Sequence, residues 1–310
     1  MAVPTLYLRI FTVLVLCIIV CGLVLVIYFF VPFNRSSIEK ATALINKLKP
    51  PPKYAFVTPF SATNACKAMR ACQTYSKVSE IKNKKIPVIA FHAADVTPIM
   101  LSNYTKLCPF VQLRPILLKQ YPNYVSDLKN YRFKFLIVKE VLPKFETILY
   151  GDASVQFKPS LISESLTDLF KSMNKKFSKQ GIRMFSRTNY PNFPVTHPLM
   201  YKYFNVSMEQ MKKTKQLEST AFMVSNTTAG HNVVDKVAKC ALEENCMAPK
   251  DAVAKCKYPA YLKNTKVVCH KFDQSAVNMR LIELYGVNSS KYYKNSRLIS
   301  IVQTETCSLP

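Results

Sequence analysis

Residues 147–157, TILYGDASVQF, set a glycine, an aspartate and a serine in the middle of an apolar run. Such a short apolar run is typical of a buried strand. In an open parallel sheet, ligands bind beyond the carboxyl ends of the strands. The stretch therefore predicts that Asp152 reaches a binding crevice, with Gly151 permitting close approach by a ligand or another backbone. The alternative is an aspartate that only ends a strand or caps a turn.

Short apolar segments alternate with amphipathic ones from Lys53 onward. Besides 147–157, the strand-like segments are KYAFVTPFS (53–61), IPVIAFHAAD (86–95), FVQLRPILL (110–118), GIRMFSRT (181–188) and STAFMVSN (219–226). The helical segments are TNACKAMRACQTY (63–75), VTPIMLSNYTKL (96–107), SDLKNYRFKFLIVKEVL (126–142, with Ser126 as its expected N-cap), HNVVDKVAKCALEEN (231–245) and DQSAVNMRLIELYG (273–286). This alternation predicts an α/β fold with a mostly parallel sheet flanked by helices.

An uncharged apolar stretch near the N-terminus predicts a membrane anchor. Residues 10–31 are almost wholly apolar, and as a helix they would rise about 33 Å, enough to span a bilayer. The stretch is longer than the apolar core of a cleaved signal peptide. We therefore expect a cytosolic tail at 1–9, one N-terminal transmembrane helix (a signal anchor) at 10–33, a stem at 34–52 closed by three prolines, and a globular domain at 53–310.

Two sets of signals disagree about the side of the membrane on which the domain lies. Basic residues follow the apolar stretch more densely than they precede it, which taken alone favours a cytosolic domain. Eight cysteines beyond the stretch, with no CxxC pair, favour disulfides over zinc. N-glycosylation sequons stand at Asn34, Asn103, Asn205, Asn226 and Asn288. We therefore expect a lumenal domain on a single-pass type II membrane protein of the secretory pathway, in the Golgi.

The charge and the scarcity of glycine narrow the function. A net charge of +25 attracts anions, but no nucleic-acid recognition motif is present. Phosphate-bearing donors, acidic glycans and anionic membrane surfaces remain as partners, as does a basic surface that is merely solvated. The chain has five glycines, none close to another, so GxGxxG and GxxxxGK[ST] phosphate loops are excluded. The hydrolase and protease signatures GxSxG and HExxH are also absent.

The segment YRFKFLIVKEVLPKFETILYGDASVQF (131–157) resembles a stretch of GT-A fold glycosyltransferases, particularly glycogenin-like and lipopolysaccharide galactosyltransferase-like enzymes. In those enzymes a helix with a basic residue leads to a strand that ends in Asp-x-Asp. Three further segments resemble parts of these enzymes and occur in the same order along the chain: FVTPFSATN, IAFHAAD and FDQSAVN. CALEENCMAP and CHKFDQSAVN are also similar to an uncharacterised family of nematode and invertebrate membrane proteins. The first resemblance implies a GT-A-like domain that transfers a sugar from a nucleotide-sugar donor to a glycan or protein acceptor, acidic glycans included, with Mn²⁺ or Mg²⁺.

The resemblance also implies roles for particular residues. Asp152, Ser154 and His270 would ligate the metal; Asp273, Gln274 and His270 would be catalytic; Thr58, Asn64, Asp95 and Lys134 would bind the donor. Each has a structural alternative, such as a helix N-cap for Asp273, an exposed lysine for Lys134 and a packed histidine beside Cys269 for His270. The aromatic segment at 189–204 would form an acceptor platform or simply pack as a loop.

One departure from the family leaves the activity open. Where the enzymes have Asp-x-Asp, this chain has Asp152, Ala153 and Ser154. A serine hydroxyl is a weaker ligand than a carboxylate for a hard divalent cation. Either the metal uses other groups such as His270, or it is dispensable, or the protein does not catalyse. The rival functions are a non-catalytic lumenal glycan-binding or interaction protein on the same fold and, if the apolar stretch is cleaved, a secreted disulfide-rich interaction domain.

Overall fold

The computed structural model of the chain describes residues 52–160 and 164–302. The predicted cytosolic tail, the transmembrane helix at 10–33 and nearly all of the stem lie outside the described residues. Within those two ranges, none of the helices combines the length and the apolar character that a bilayer span requires. The membrane anchor therefore stays a prediction.

A mainly parallel sheet organises the described residues. Its strands are β1 (Tyr54–Phe60), β2 (Val88–His92), β3 (Val111–Pro115), β4 (Thr147–Gly151), β6 (Ile182–Pro191) and β7 (Lys215–Ser225), in the order β3-β2-β1-β4-β7-β6. β1 pairs in parallel with β2 and β4, and β2 pairs in parallel with β3. β7 is antiparallel to both β4 and β6. A separate antiparallel pair joins β5 (Val155–Phe157) and β8 (Ile299–Ile301).

Helices cover both faces of this sheet and bury an apolar core on each, as parallel strands require. The helices are α1 (Ala65–Tyr75), α2 (Ser79–Lys82), α3 (Pro98–Leu107), α4 (Phe133–Val141), α5 (Leu166–Lys176), α6 (Met208–Lys213), α7 (Thr228–Leu242), α8 (Glu244–Met247) and α9 (Phe272–Tyr285). Side chains of α4, α7 and α9 build one core. Those of α1 and α5 pack with strand residues in the other. The predicted α/β fold with a mostly parallel, helix-flanked sheet is confirmed.

The stretch 147–157 breaks because the chain changes sheets within it. β4 ends at Gly151 in the central sheet, and β5 begins at Val155 in the two-stranded sheet. The Asp152 backbone N–H donates to Thr220 O at 2.8 Å, and the Val155 N–H donates to Asp152 O at 2.9 Å, closing a turn. A Cβ on Gly151 would lie 3.0 Å from Phe56 Cε2, so a side chain there would crowd the core. The small residues therefore permit a sharp exit that leaves Asp152 at the strand end.

The predicted helix at 126–142 is shorter in the structure. Two 3₁₀ turns, Asn123–Ser126 and Leu128–Asn130, precede α4, and Tyr131 has φ 55°, a left-handed conformation that interrupts the helix. Asp127, not Ser126, supplies the capping side chain, accepting the Lys129 N–H at 3.0 Å. The prediction was wrong because apolar spacing does not reveal a single left-handed residue.

A buried arginine ties the start of α4 to the end of α7. The Arg132 guanidinium, 1% exposed, donates to the backbone carbonyls of Ala241 at 2.6 Å, Glu243 at 2.9 Å and Glu244 at 2.7 Å. Carbonyls at a helix end have no partner within the helix, so a fork of N–H donors satisfies several at once. The guanidinium also lies 4.9 Å from the centre of the Tyr124 ring.

We expect Arg132→Met to lower the free energy of unfolding by about 3 kcal/mol, because it leaves buried carbonyls without donors. Arg132→Lys should recover little of this loss, since an ammonium group lacks the planar fork. Urea denaturation of the purified chain measures both. The control Lys139→Met removes only an exposed ion pair with Asp235 and should cost less than about 1 kcal/mol. Equal losses for Arg132→Met and Lys139→Met would contradict the anchoring role.

The cysteines form disulfides, as predicted. Bonds join Cys72 to Cys108, Cys240 to Cys246 and Cys256 to Cys269. Cys66 is disulfide-bonded as well, so all seven cysteines in the described ranges are oxidised. The four sequon asparagines within the described ranges are Asn103, Asn205, Asn226 and Asn288, and all four are exposed. Their side chains can thus be reached by a glycosylating enzyme, while Asn34 and Cys307 lie outside the described residues.

Candidate functional site

A cleft of 610 Å³ opens at the carboxyl ends of β1 and β4. After β1 the chain runs to β2 on one side, whereas β4 lies on the other side of β1, so the order of the strands reverses here. Such a switch point is where open α/β sheets bind ligands. Asn64, just after β1, and residues 152–154, just after β4, line the cleft together with Gln274 from the start of α9. The topology therefore builds a binding site where the sequence predicted one.

Three charged side chains from distant parts of the chain meet at the base of the cleft. Lys134 Nζ, on α4, lies 2.8 Å from Asp152 Oδ2 and 3.0 Å from Asp273 Oδ2. The Lys134 and Asp273 side chains are each 5% exposed, whereas Asp152 is 25% exposed. We call Lys134, Asp152 and Asp273 the charged triad. Asp152 is the member of the triad most open to a ligand.

Neighbouring groups fix the orientation of the triad. The Tyr150 hydroxyl donates to Asp152 Oδ1 at 2.9 Å, and the Ser219 hydroxyl donates to Asp273 Oδ2 at 2.5 Å. Lys134 Nζ also lies 5.0 Å from the centre of the Tyr131 ring, within the range of a cation–π contact. Two carboxylates and one ring face therefore surround the ammonium. This arrangement holds both carboxylates in place before any ligand binds.

The shared ammonium sets the ionisation of the triad. Burial lowers the pKa of Lys134, but the charges of Asp152 and Asp273 outweigh burial and hold this pKa above its ordinary value. Burial raises the pKa of Asp152, and the Lys134 ammonium offsets this only in part because the carboxylate of Asp273 repels a second negative charge. One ammonium cannot neutralise two carboxylates. The triad with both aspartates ionised therefore carries one net negative charge at the base of the cleft.

Gln274 belongs to the wall of the same cleft. Its Nε2 donates to Gln216 Oε1 at 2.6 Å, and its side chain lies near the Tyr190 hydroxyl. These two residues lie on β7 and at the end of β6. The side-chain amide of Gln274 is thus held beside Asp273, on the side of the cleft that faces Tyr190.

His270 belongs to the lining of the cleft but is fully buried. Its Nδ1 accepts the His197 backbone N–H at 3.2 Å, and its Nε2 donates to Met247 O at 2.9 Å. Burial lowers the pKa of His270 to about 4, so the ring is neutral at physiological pH. Either predicted role, metal ligand or acid/base, would require one of these hydrogen bonds to break. The geometry agrees with the structural alternative, a packed histidine beside Cys269.

The predicted donor-binding residues divide into two groups. Asn64 and Lys134 line the cleft, as does Ser154, which was predicted to ligate the metal. Thr58 is 2% exposed within β1, and its side chain lies near Tyr75 in the core. Asp95 Oδ1 accepts the Ala62 backbone N–H at 3.1 Å and so caps the turn after β1. The structure does not bring Thr58 or Asp95 into the lining of the cleft.

Lysines that the sequence did not single out also line the cleft. They are Lys67 on α1, Lys129 in the turn before α4 and Lys271 just before α9. With Lys134, four lysines and two aspartates line the cleft among the described residues. The cleft is therefore electropositive apart from the triad, which suits a ligand with phosphate groups.

A divalent cation does not fit the residues present. In the part of the chain that the structure describes, no group of three or more histidines, cysteines or acidic residues could hold a metal ion. The oxygens of Asp152 accept from Lys134 and Tyr150, and Ser154 offers only a neutral hydroxyl. A dication prefers several carboxylate oxygens, and it would meet the surrounding lysine ammonium groups.

Comparisons with known proteins gave structures but no sequence relatives. No protein-family model matches the chain, and no curated protein sequence does. Similar solved structures include galactosyltransferase LgtC in complex with donor and acceptor sugar analogs (12% identity, 78% of this chain, 73% of that chain, TM-score 0.46). Others are apo mouse xyloside xylosyltransferase 1 (11%, 78%, 84%, TM-score 0.43) and core-mannan synthase A from Aspergillus fumigatus in its Mn/GDP form (9%, 78%, 72%, TM-score 0.43).

These structures are GT-A glycosyltransferases, the class that the sequence resembles. The mixed α/β architecture of the chain, with its mainly parallel sheet and flanking helices, fits a GT-A fold. At TM-scores below 0.5 and identities of 12% or less, the likeness does not establish an activity for this chain. None of the matches supports the similarity to nematode and invertebrate membrane proteins.

Proposed function

We propose that the chain is a glycosyltransferase that moves a sugar from a nucleotide-sugar donor to a glycan or protein acceptor. The observation that carries this proposal is the charged triad: Lys134 holds Asp152 and Asp273 together at the base of a cleft, at the switch point of a parallel sheet. Carboxylates that are already oriented accept hydrogen bonds from sugar hydroxyls. The lysines above them offer positive charge to a diphosphate.

The donor fits the cleft in one direction. Its sugar lies on the base, against Asp152, Asp273 and Gln274, and its diphosphate lies against Lys129 and Lys271. The nucleoside then extends toward Asn64 and the end of β1, where a side-chain amide can bind the edge of a base. In this pose the sugar occupies the part of the lining where the two carboxylates of the triad lie.

The chemistry follows from the charges. The bond between the anomeric carbon and the diphosphate oxygen breaks, and the diphosphate departs with the electron pair. The acceptor oxygen forms the new bond to the anomeric carbon, and its proton passes to the diphosphate. Ammonium groups placed where negative charge develops lower the barrier. Lys129 and Lys271 supply this charge, while the triad orients the sugar.

The setting that we propose is the lumen of the secretory pathway, in the Golgi, with attachment to the membrane through residues 10–33. Oxidised cysteines suit an oxidising compartment, and exposed sequons suit glycosylation there. A second candidate function is glycan binding without catalysis. Ser154 in place of a second carboxylate and the net charge of +25 favour it.

We expect nucleotide sugars to stabilise the purified full-length chain in the presence of EDTA. A ligand at a hundred times its dissociation constant adds about 2.7 kcal/mol, which raises the melting temperature by roughly 5–10 °C for a domain of this size. Differential scanning fluorimetry with a panel of nucleotide sugars, in EDTA and in Mn²⁺, measures the shift. Lys129→Gln with Lys271→Gln should remove most of it, and the exposed Lys175→Gln should not.

Each result of the panel decides between the proposals. If nucleotide sugars stabilise the chain in Mn²⁺ but not in EDTA, donor binding by lysines is contradicted, whereas the transferase proposal is not. No stabilisation by any donor in either condition, with no sugar transfer, would overturn the transferase. Salt-sensitive binding of acidic glycans without any nucleotide binding would favour the second candidate.

A further inference from the structure

The cleft continues into a groove. Ala254 and Lys271 line both the cleft and an adjoining hollow of 290 Å³, and Tyr190 and Tyr261 line both that hollow and a third one of 530 Å³. We call the second and third hollows together the tyrosine groove. It joins the cleft at Lys271, which contacts the donor diphosphate in the proposed pose, and the anomeric carbon is bonded to that diphosphate. A molecule in the groove would thus approach the reacting carbon.

Three tyrosines form the wall of this groove. The Tyr190 and Tyr261 rings lie 5.0 Å apart at 75°, and the Tyr258 and Tyr261 rings lie 6.2 Å apart at 65°. Tyr258 is 78% exposed, an unusual position for so large an aromatic side chain. Exposed aromatic side chains beside a cleft are typical of a binding surface. Their flat faces match the apolar faces of sugar rings.

Tyr190 links the groove to the cleft. Its hydroxyl lies near the side chain of Gln274, which lines the cleft beside Asp273. Burial raises the pKa of Tyr190 to about 12, so this hydroxyl stays protonated at physiological pH. A ligand packed on Tyr190 would therefore lie within one side chain of the triad.

The segment that carries Tyr258 and Tyr261 is strongly basic. Residues 249–271 contain six lysines and one aspartate. Lys255 and Lys271 line the groove itself, and the Cys256–Cys269 disulfide closes the loop that carries both tyrosines. Positive charge at a recognition surface selects partners of opposite charge. An uncharged glycan would use the tyrosines but not the lysines.

We infer that the tyrosine groove binds the acceptor, and that the acceptor is an anionic oligosaccharide. Sugar faces pack on Tyr258 and Tyr261, and acidic groups pair with Lys255, while Lys271 stays with the donor diphosphate. This inference rests on the proposed function, because it places the acceptor beside the donor sugar. It also restricts the predicted acceptor platform at 189–204 to the start of that segment, because Tyr190 lines the groove whereas Phe193, Met200 and Phe204 are buried in the core.

The test uses two tetrasaccharides with the full-length chain. A heparin-derived sulfated tetrasaccharide should bind, and neutral chitotetraose should bind more weakly, by isothermal titration calorimetry at low salt. Tyr258→Ala should weaken binding of the sulfated probe about threefold to tenfold, while Tyr258→Phe keeps the ring and the affinity. Lys255→Gln should weaken the sulfated probe and leave chitotetraose unchanged. Ile99→Ala, at a side chain that is 74% exposed outside the groove, and Lys175→Gln are the controls.

The readouts separate this inference from the proposed function. Nucleotide sugars should stabilise the Tyr258→Ala chain as they stabilise the wild type. If Tyr258→Ala and Lys255→Gln bind the sulfated probe as the controls do, the groove is not the acceptor site, whatever the nucleotide result. If these variants no longer bind the sulfated probe but no nucleotide sugar binds the wild type, the groove is a saccharide-binding site. Its proposed role in sugar transfer would then be contradicted.

Discussion

Lys134→Met should lower the free energy of unfolding by about 3–5 kcal/mol, the usual cost of removing one partner from a buried ion pair. Here the cost has two sources. The variant leaves Asp152 and Asp273 as buried carboxylates without their cation, and it leaves two like charges close together. Both were held within 3.0 Å of the same ammonium in the wild type. Urea denaturation at pH 7 measures the loss.

The loss should shrink when the pH is lowered. The pKa of Asp152 is already raised by burial in the wild type, and removing Lys134 removes the main group that opposed this rise. The folded variant then binds more protons than the unfolded chain at pH values between the two pKa values of this carboxyl, so its stability falls as pH rises through that window. Acidification through the same window should therefore restore part of the stability of Lys134→Met.

Two companion variants define this result. Lys134→Arg keeps a cation and should retain more stability than methionine, while Lys139→Met, on the exposed side of the same helix, should lose little. A Lys134→Met chain with wild-type stability at pH 7, or one that loses stability on mild acidification faster than the wild type, would show that the triad does not hold the base of the cleft together.

Much of the fold could be predicted because its signals are local. Apolar runs located the strands of the sheet, and amphipathic periodicity located the helices that flank it. The alternation of strands and helices predicted parallel pairing. Two features are not local. The left-handed Tyr131 shortens α4 against its apolar pattern, and the antiparallel β7 inserts beside β4 only through tertiary pairing. Neither leaves a mark in the spacing of apolar residues.

The charged triad could be predicted in part. Asp152 was predicted from its place at the end of a strand, and Asp273 and Lys134 from the resemblance to GT-A enzymes, but their contact joins residues that are far apart in sequence. Tyr150 could have been found, because alternate residues of a strand share a side and it stands two positions before Asp152. Ser219 carried a weaker signal, a polar residue at the start of an apolar strand.

Burial explains why some predicted site residues do not present their side chains to a ligand in the cleft. Thr58 lies inside a strand and His270 just before a helix, yet both side chains are buried, and the His270 ring makes hydrogen bonds within the core. Sequence position does not reveal which side of an end faces the cleft. Tyr258 and Tyr261 show the converse, since no periodic pattern marks a disulfide-closed loop as the wall of a groove.

Asp273→Asn should separate catalysis from stability. The amide keeps the shape of the carboxylate and can still accept the Ser219 hydroxyl, and Lys134 keeps its ion pair with Asp152. Removing one of two like charges also lowers the pKa of Asp152, which favours its ionised form. We therefore expect a melting temperature close to that of the wild type. The ordering of the donor sugar should suffer, because a neutral amide binds sugar hydroxyls less strongly than a carboxylate does.

The expected loss of sugar transfer is about 100-fold or more in kcat, the scale on which removal of an oriented electrostatic group acts in an active site. Transfer to an acceptor and hydrolysis of the donor, each measured with the donor that stabilises the wild type best, give kcat and KM separately. Asp251→Asn is the matched control, because this carboxylate is exposed and lies in the loop before α9. This variant should transfer sugar at the wild-type rate. Transfer by Asp273→Asn within about threefold of the control would remove Asp273 from the reaction centre, because a group that orients the sugar in the transition state cannot lose its charge without a larger effect on kcat.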